Sequence, residues 1–445
     1  IKNQHSISLS LMNLEWLDKK INIIDTPGYL DFHGEVKSAM SAADFAAIVV
    51  SATESIDVGT ELCWEYADKE LNIPKLFIIS MADKDQSDFD SVLSALQSRY
   101  GRTVLPFTLP VNQGPGFNQV ADVLRKETFT FKTDASGDYS EAVAEGDWFQ
   151  RLEDMHNELI ELIAESDENL LEIFFDKGEL SEDELRSGLH QALKSGGLIP
   201  VFCVSGENNI GVKRMMDILA KYAPCAGDFE EVAGTKPGSD DEVVHGPSVD
   251  DPLAARVFKT ISEEHIGEMS FFRVYSGKVN AGDDLRNTTR NNSEKMRQIY
   301  FMNGNKRKDA AQLIAGDIGA ALKLKNTHTG DTLSSPKSPI LLPEIKYPTS
   351  NMSFAIKPKA RGDEEKIANG LAVMHEVDPT FFYRVDPELK QTIISGQGEL
   401  HLNIALKQIS ERFHVELEKH TPKVPYRETI TGNAVAKYRH KKQSG

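Results

Sequence analysis

The chain has 445 residues, and 50 Lys and Arg against 68 Asp and Glu leave a formal charge of −18. That length exceeds one hydrophobic core, and that charge excludes nucleic-acid binding through a basic field over the whole surface, leaving room only for a local basic patch. With 40% hydrophobic and 27% charged residues the composition is that of a folded protein rather than a disordered one. No apolar run reaches the roughly 18–20 residues of a membrane span, and the first residues do not read as a secretory signal. Cys63, Cys203 and Cys225 show no C-x-x-C spacing, so they read as small buried hydrophobes in a reducing, cytoplasmic setting rather than as disulfides or zinc ligands.

Segments 21–24, 45–50 and 76–79 are apolar, β-rich runs of the kind buried on both faces of a sheet. Helical periodicity covers 34–41, 59–68 and 87–100, so the alternation predicts a parallel sheet with crossover helices. Between 103 and 195 the pattern changes. A strand near 128–132 precedes charged helical stretches at 148–165 and 181–194, the second opened by a Ser181/Glu184 capping box. A strand at 200–205 and a helix at 212–222 follow. The prediction is one α/β domain over 1–224 with a helical insertion at 103–195. The acidic, Gly- and Pro-bearing stretch 225–251 reads as a linker or surface loop. Over 252–342, short alternating runs (269–275, 299–302, 320–324) are separated by turn signals such as Ala281-Gly282-Asp283 and Thr329-Gly330-Asp331, which predicts a small antiparallel β-barrel. Over 343–421 the order is β-α-β-β-α-β, a ferredoxin-like α+β unit. Residues 422–445 are too few for another core and read as the start of a further domain.

The segment with most chemistry is Ile21-Asn22-Ile23-Ile24-Asp25-Thr26-Pro27-Gly28. An acidic residue ending a strand and followed by D-x-x-G is how P-loop nucleotidases place a magnesium-facing carboxylate and a backbone N–H toward a γ-phosphate. An Asp-Pro-Gly turn after a strand is the plainer alternative. The partner motif G-x-x-x-x-G-K-[ST] is absent: Gly206 and Gly211 are followed by Val212 and a displaced Lys213, and Gly277-Lys278 lies in the barrel region. Gly396-Gln397-Gly398 fails as a dinucleotide loop because His401 stands at the third glycine position. The histidines form no H-x-x-x-H pair with a supporting carboxylate.

Four longer segments, in order, carry a resemblance: INIIDTPGYLDF, AGDIGAALKLKNTHTGDTL, GQGELHLNIALKQISERF, and TPKVPYRETI with YRHKKQSG. The chain resembles elongation factor G, the translocation GTPase of the ribosome, and in particular paralogues with a tyrosine after D-T-P-G. The resemblance implies a P-loop-type G domain with an insertion, a β-barrel domain II, a ferredoxin-like domain III and the first strand of domain IV. It places the phosphate loop ahead of Ile1, so the chain reads as truncated at both ends. The implied cofactors are GTP or GDP and Mg2+. The implied partners are the ribosome, through its RNA and proteins, and tRNA; the implied state is a cytoplasmic monomer without membrane contact.

Carried over residue by residue, Ser6 stands where the family has its switch I threonine, a magnesium ligand, with a solvent-facing serine as the alternative. Asp25 takes the magnesium position and Gly28 the γ-phosphate position. Tyr29 replaces the histidine that helps place the attacking water; a phenol of pKa about 10 is a poor base, which implies slow hydrolysis. Ser80-Met81-Ala82-Asp83 stands in place of N-K-x-D: Asp83 keeps an acceptor for the ring N–H and amine, Ser80 is a weak substitute for Asn, and Met81 lacks the lysine charge. The alternative is a strand end that no longer reads a base. Ser205 and Gly206 match the fifth motif, as a base contact or a plain turn. Lys437, Arg439, Lys441 and Lys442 form a basic cluster, a solvated tail or an RNA-facing segment. The implied function is GTP hydrolysis coupled to translocation or a related ribosomal step in the complete protein, this stretch alone being inactive. The alternative is a ribosome-binding regulatory paralogue with impaired or lost GTPase activity.

Overall fold

The computed structural model describes residues 5–178, 180–263, 267–360 and 362–441. Three valine- and isoleucine-rich runs and a short fourth strand build a parallel sheet in the order Ala46–Ser51, Lys75–Ser80, Ile199–Cys203, Val104–Pro106. The two inner strands are covered on both faces, and Phe77, Phe89, Leu96, Phe202 and Ile218 join them to the helices Phe89–Tyr100 and Val212–Tyr222. Asp88 starts the first of these helices by accepting the Ser91 N–H at 3.0 Å, a side-chain N-cap.

Two strands depart from the sequence expectation. Ala46–Ser51 is buried on one face only, with Val49 62% exposed. Lys19–Asp25 is not part of the parallel sheet: it pairs antiparallel with Ser10–Trp16 in a two-stranded ribbon and is only half-buried. Its Ile24 and the facing Leu11 pack on Phe258, Phe271 and Tyr300 of the next domain, and the Leu11 carbonyl accepts the Gly304 N–H at 2.7 Å. A short apolar run does not distinguish a strand buried inside its own sheet from one docked on a neighbour.

The insertion is mixed rather than helical. Its antiparallel sheet, Thr108–Pro110, Gln119–Asp122, Glu127–Phe131 and Tyr139–Val143, precedes helices Asp147–Glu165, Glu168–Lys177 and Glu182–Ser195. The Ser181/Glu184 capping box is present. The middle helix, capped by Asp167, has no counterpart in the sequence reading. Where the sheet meets helix Val212–Tyr222, Arg214 Nε donates to Asp122 Oδ2 at 2.6 Å, with both side chains buried. Burial opposes the charge on Arg214, but Asp122, with Asp217 and Tyr139, outweighs it and raises the guanidinium pKa.

The stretch expected as a linker is structured. Val232–Thr235 and Glu242–His245 form a hairpin whose Val232 and Val243 pack on the cluster of Ala254, Ile340 and Leu342. Gly234 lies against Ile340 and the Leu341 carbonyl, where a Cβ would collide. Cys225 is exposed, contrary to the expectation for the cysteines, whereas Cys203 is buried.

An eight-stranded antiparallel sheet follows, with Ala254–Glu263 and Gly267–Ser276 at its centre and Val257, Phe272, Val274 and Leu333 in its core. The third unit has strands Met352–Pro358, Phe382–Asp386, Gln391–Gly396 and Leu417–His420, ordered second, third, first, fourth. Helices Glu364–Val377 and Glu399–Phe413 meet that sheet through Ile367, Leu371, Leu402 and Ile409, which is the ferredoxin-like arrangement. Residues 421–441 carry no regular element, so the expected first strand of a further domain is not formed there; Lys442 of the basic cluster lies outside the described residues. Among the described residues, no helix is long and apolar enough to cross a membrane.

Removing one partner of the Asp122–Arg214 pair leaves a buried charge uncompensated. Asp122→Ala is expected to destabilise the parallel-sheet domain by about 3–5 kcal/mol, read from its urea transition. The double substitution Asp122→Leu/Arg214→Met is expected to recover most of that loss.

Candidate functional site

The predicted residues fall into two groups. The first lies at the carboxyl ends of the parallel strands, where open α/β sheets place their ligands. The Ala82 N–H donates to the Val204 carbonyl at 3.4 Å, drawing the loop after Lys75–Ser80 against the loop after Ile199–Cys203. Ser80 ends its strand half-buried, and Met81 takes φ +64°, uncommon outside glycine, with its side chain 48% exposed. Ser205 is buried and pairs with Ile210 through two backbone bonds of 3.0 Å, while a Cβ on Gly206 would meet nothing within 4 Å. The Asp83 side chain is 9% exposed and accepts from Asn208 Nδ2 at 3.1 Å. Lys84 Nζ bonds Glu207 at 2.5 Å, which raises its pKa, and lies 3.5 Å from Asp83. Ser80, Met81, Asp83, Ser205 and Gly206 are thus brought to one edge. Asn208 is absent from the sequence reading, since an Asn in a Glu-Asn-Asn run carries no motif.

The second group lies on the ribbon, on the turn after it and, for Ser6, on the residues ahead of it. Asp25 ends its strand exposed, with Ser10 as its cross-strand neighbour. Gly28 is exposed, with open space where a Cβ would stand. Tyr29 is 54% exposed, and its ring lies 4.7 Å from that of His5. Ser6 is exposed. Among the described residues no hydrogen bond or ion pair joins Ser6, Asp25, Gly28 and Tyr29 to the first group. An exposed carboxylate and a hydroxyl suit Mg2+, which keeps waters and takes phosphate oxygens beside one or two protein ligands.

Beyond Tyr29 the chain turns through Leu30–Phe32 into helix His33–Met40 and reaches the third unit. Helix Glu399–Phe413 begins at Gly398, which has no side chain to cap it; Asp31 Oδ2 instead accepts the His401 N–H at 3.0 Å. A Cβ on Gly398 would collide with that carboxylate. His401 is buried; its Nδ1 accepts the Gln397 N–H at 3.0 Å, which leaves Nε2 to donate to Asp378 at 2.8 Å. Asp378 also accepts the Thr380 N–H (2.8 Å) and hydroxyl (2.6 Å). Burial alone would raise the Asp378 pKa, but His401, Thr380 and Lys259 together bring it down to about 2. Close by, Glu35 accepts from Ser8 Oγ (3.0 Å), the Leu9 N–H (2.9 Å) and Lys259 Nζ. A cavity of about 520 Å³ lies among these residues, bordered by Asp31, Glu35, Lys259, Asp378, His401 and Arg412.

Three family models match in chain order. Residues 1–225 match the elongation factor Tu GTP binding domain, 252–336 elongation factor G domain 2, and 347–421 elongation factor G domain III. The chain belongs to the elongation factor G-like translational GTPases. A crystal structure from Thermus thermophilus is similar at 27% identity and a TM-score of 0.84, over 96% of this chain and 61% of that one. This elongation factor G-like chain therefore spans under two thirds of the length of that structure's chain.

The junction generates two expectations. Asp31→Ala removes a cap worth about 1 kcal/mol and should speed amide exchange in the first turn of Glu399–Phe413 while leaving exchange in Glu364–Val377 unchanged. The Asp378 value lies below the ordinary carboxylate value of about 3.9, so its contribution is complete above about pH 4. That contribution is lost as pH falls through about 2. Asp378→Asn should flatten the acid dependence of the third unit's stability in that window.

Proposed function

We propose that the complete protein is a ribosome-associated GTPase, cytoplasmic and monomeric, that couples GTP binding and hydrolysis to translocation or a related ribosomal step. The observation that carries this reading is the meeting of Asp83 with the Ser205-Gly206 loop at the carboxyl edge of a parallel sheet, within a chain that matches three successive family domains. Asp83 would accept from the base, with Ser80, Met81, Ser205 and Gly206 around it. Ser6 and Asp25 would face Mg2+, which when bound neutralises phosphate charge. The Gly28 N–H would face the γ-phosphate, and the Tyr29 phenol would orient water without serving as a base. Movement of the 25–32 turn would pass to the third unit through the Asp31 cap. Lys437, Arg439 and Lys441 would contribute phosphate contacts to ribosomal RNA or tRNA.

A second reading, a ribosome-binding regulator without hydrolysis, is favoured by Tyr29, Ser80 and Met81. Calorimetry with GDP, GTP and ATP, followed by single-turnover hydrolysis with ribosomes, separates the two on the product of the whole reading frame. Guanine nucleotides are expected to bind in preference to ATP and to be hydrolysed slowly. Tyr29→His should raise the rate roughly tenfold or more. Ribosome binding without turnover, with or without bound nucleotide, would select the second reading, and absence of ribosome binding would refute both.

A further inference from the structure

Asn208 stands apart from the residues that the sequence assigns to nucleotide, yet the structure places its carboxamide on Asp83. Its Nδ2 donates to Asp83 Oδ2 at 3.1 Å, and its own N–H is held by Ser205 Oγ at 3.3 Å. The next residues on either side brace the same approach, with Lys84 bonded to Glu207 at 2.5 Å. One oxygen of a nearly covered carboxylate is thereby fixed, so the direction of the other is set by the loop 205–208. Neither Ser80 nor Met81 makes a hydrogen bond to Asp83 among the described residues.

A carboxylate held in this way is an acceptor only. It is satisfied by a base edge with two adjacent N–H donors, the ring N–H and exocyclic amine of guanine. It meets one donor in hypoxanthine, and in adenine a ring nitrogen that is itself an acceptor. We infer that Asn208 is the positioning residue for base selection at this site, holding Asp83 so that a purine with two adjacent donors is chosen. The inference rests on the proposed nucleotide function and assigns its selectivity to a residue of the second loop.

The test is calorimetry of GDP, IDP and ADP on the product of the whole reading frame, as wild type and as Asn208→Ala, Asn208→Gln and Asn208→Asp. Wild type is expected to prefer GDP over IDP by roughly 10- to 100-fold, as for a hydrogen bond to a charged group. Asn208→Ala should bring the GDP-to-IDP ratio toward unity with little change for ADP. Asn208→Gln, which keeps the donor, should retain part of the preference. Asn208→Asp, which sets a second carboxylate against the first, should abolish it. Should Asn208→Ala fail to fold, the Gln and Asp variants decide by the same ratio. An unchanged ratio in the variants, with GDP still bound, would overturn this inference and leave the proposed function standing. A wild type that binds none of the three would overturn both.

Discussion

A helix that begins on glycine must take its N-cap acceptor from elsewhere, and here one carboxylate from a distant part of the chain supplies it. The first N–H groups of Glu399–Phe413 have no partner within the helix, and Gly398 offers no side chain, so Asp31 closes the end. The constraint is mutual. Asp31 reaches the helix only because residue 398 lacks a Cβ, and its own placement follows from the turn between Gly28 and His33. Glu35, one turn further on, ties the same segment to Ser8, Leu9 and Lys259. The ribbon, the eight-stranded sheet and the ferredoxin-like unit therefore meet at one stretch of chain.

The magnitudes decide what this junction is for. Leu11, Ile24, Phe258, Phe271 and Tyr300 hold the ribbon to the eight-stranded sheet by apolar burial, at about 1.5–3 kcal/mol for each fully buried large side chain. A cap contributes about 1 kcal/mol, a several-fold change in an equilibrium. Apolar packing thus keeps the ribbon attached, while the Asp31 cap is the weaker tie between that segment and the third unit.

What could be read from the sequence was local. The inner strands of the parallel sheet, the Ser181/Glu184 capping box and the β-α-β-β-α-β order follow from runs, caps and periodicity within a few residues. The antiparallel pairing of the 21–24 run with Ser10–Trp16, the hairpin Val232–Thr235/Glu242–His245 and most of the small sheet of the insertion were hidden. An apolar run does not name its partner, and Val232 and Val243 are covered by the distant Ile340. The candidate site divides in the same way. The D-T-P-G and S-M-A-D segments are contiguous and legible. Asn208 and Asp83 are 125 positions apart, and Asp31 and His401 are 370 apart, so neither pairing leaves a spacing signal.

Under the proposed function, the two groups of site residues rest on different supports, and this has a mechanical consequence. The base-facing group, Ser80 to Asp83 with Ser205 and Gly206, is fixed to the buried parallel sheet, whose inner strands are its most covered part. The phosphate-facing group, Asp25, Gly28 and Tyr29, is fixed to a ribbon outside that sheet, docked on the eight-stranded sheet and followed by the Asp31 cap. A nucleotide held by both would span the two supports. A change at its phosphate end would then reach the third unit through the Asp31 cap. In that arrangement the base contacts set which nucleotide is bound, and the domain arrangement sets how tightly its phosphates are held.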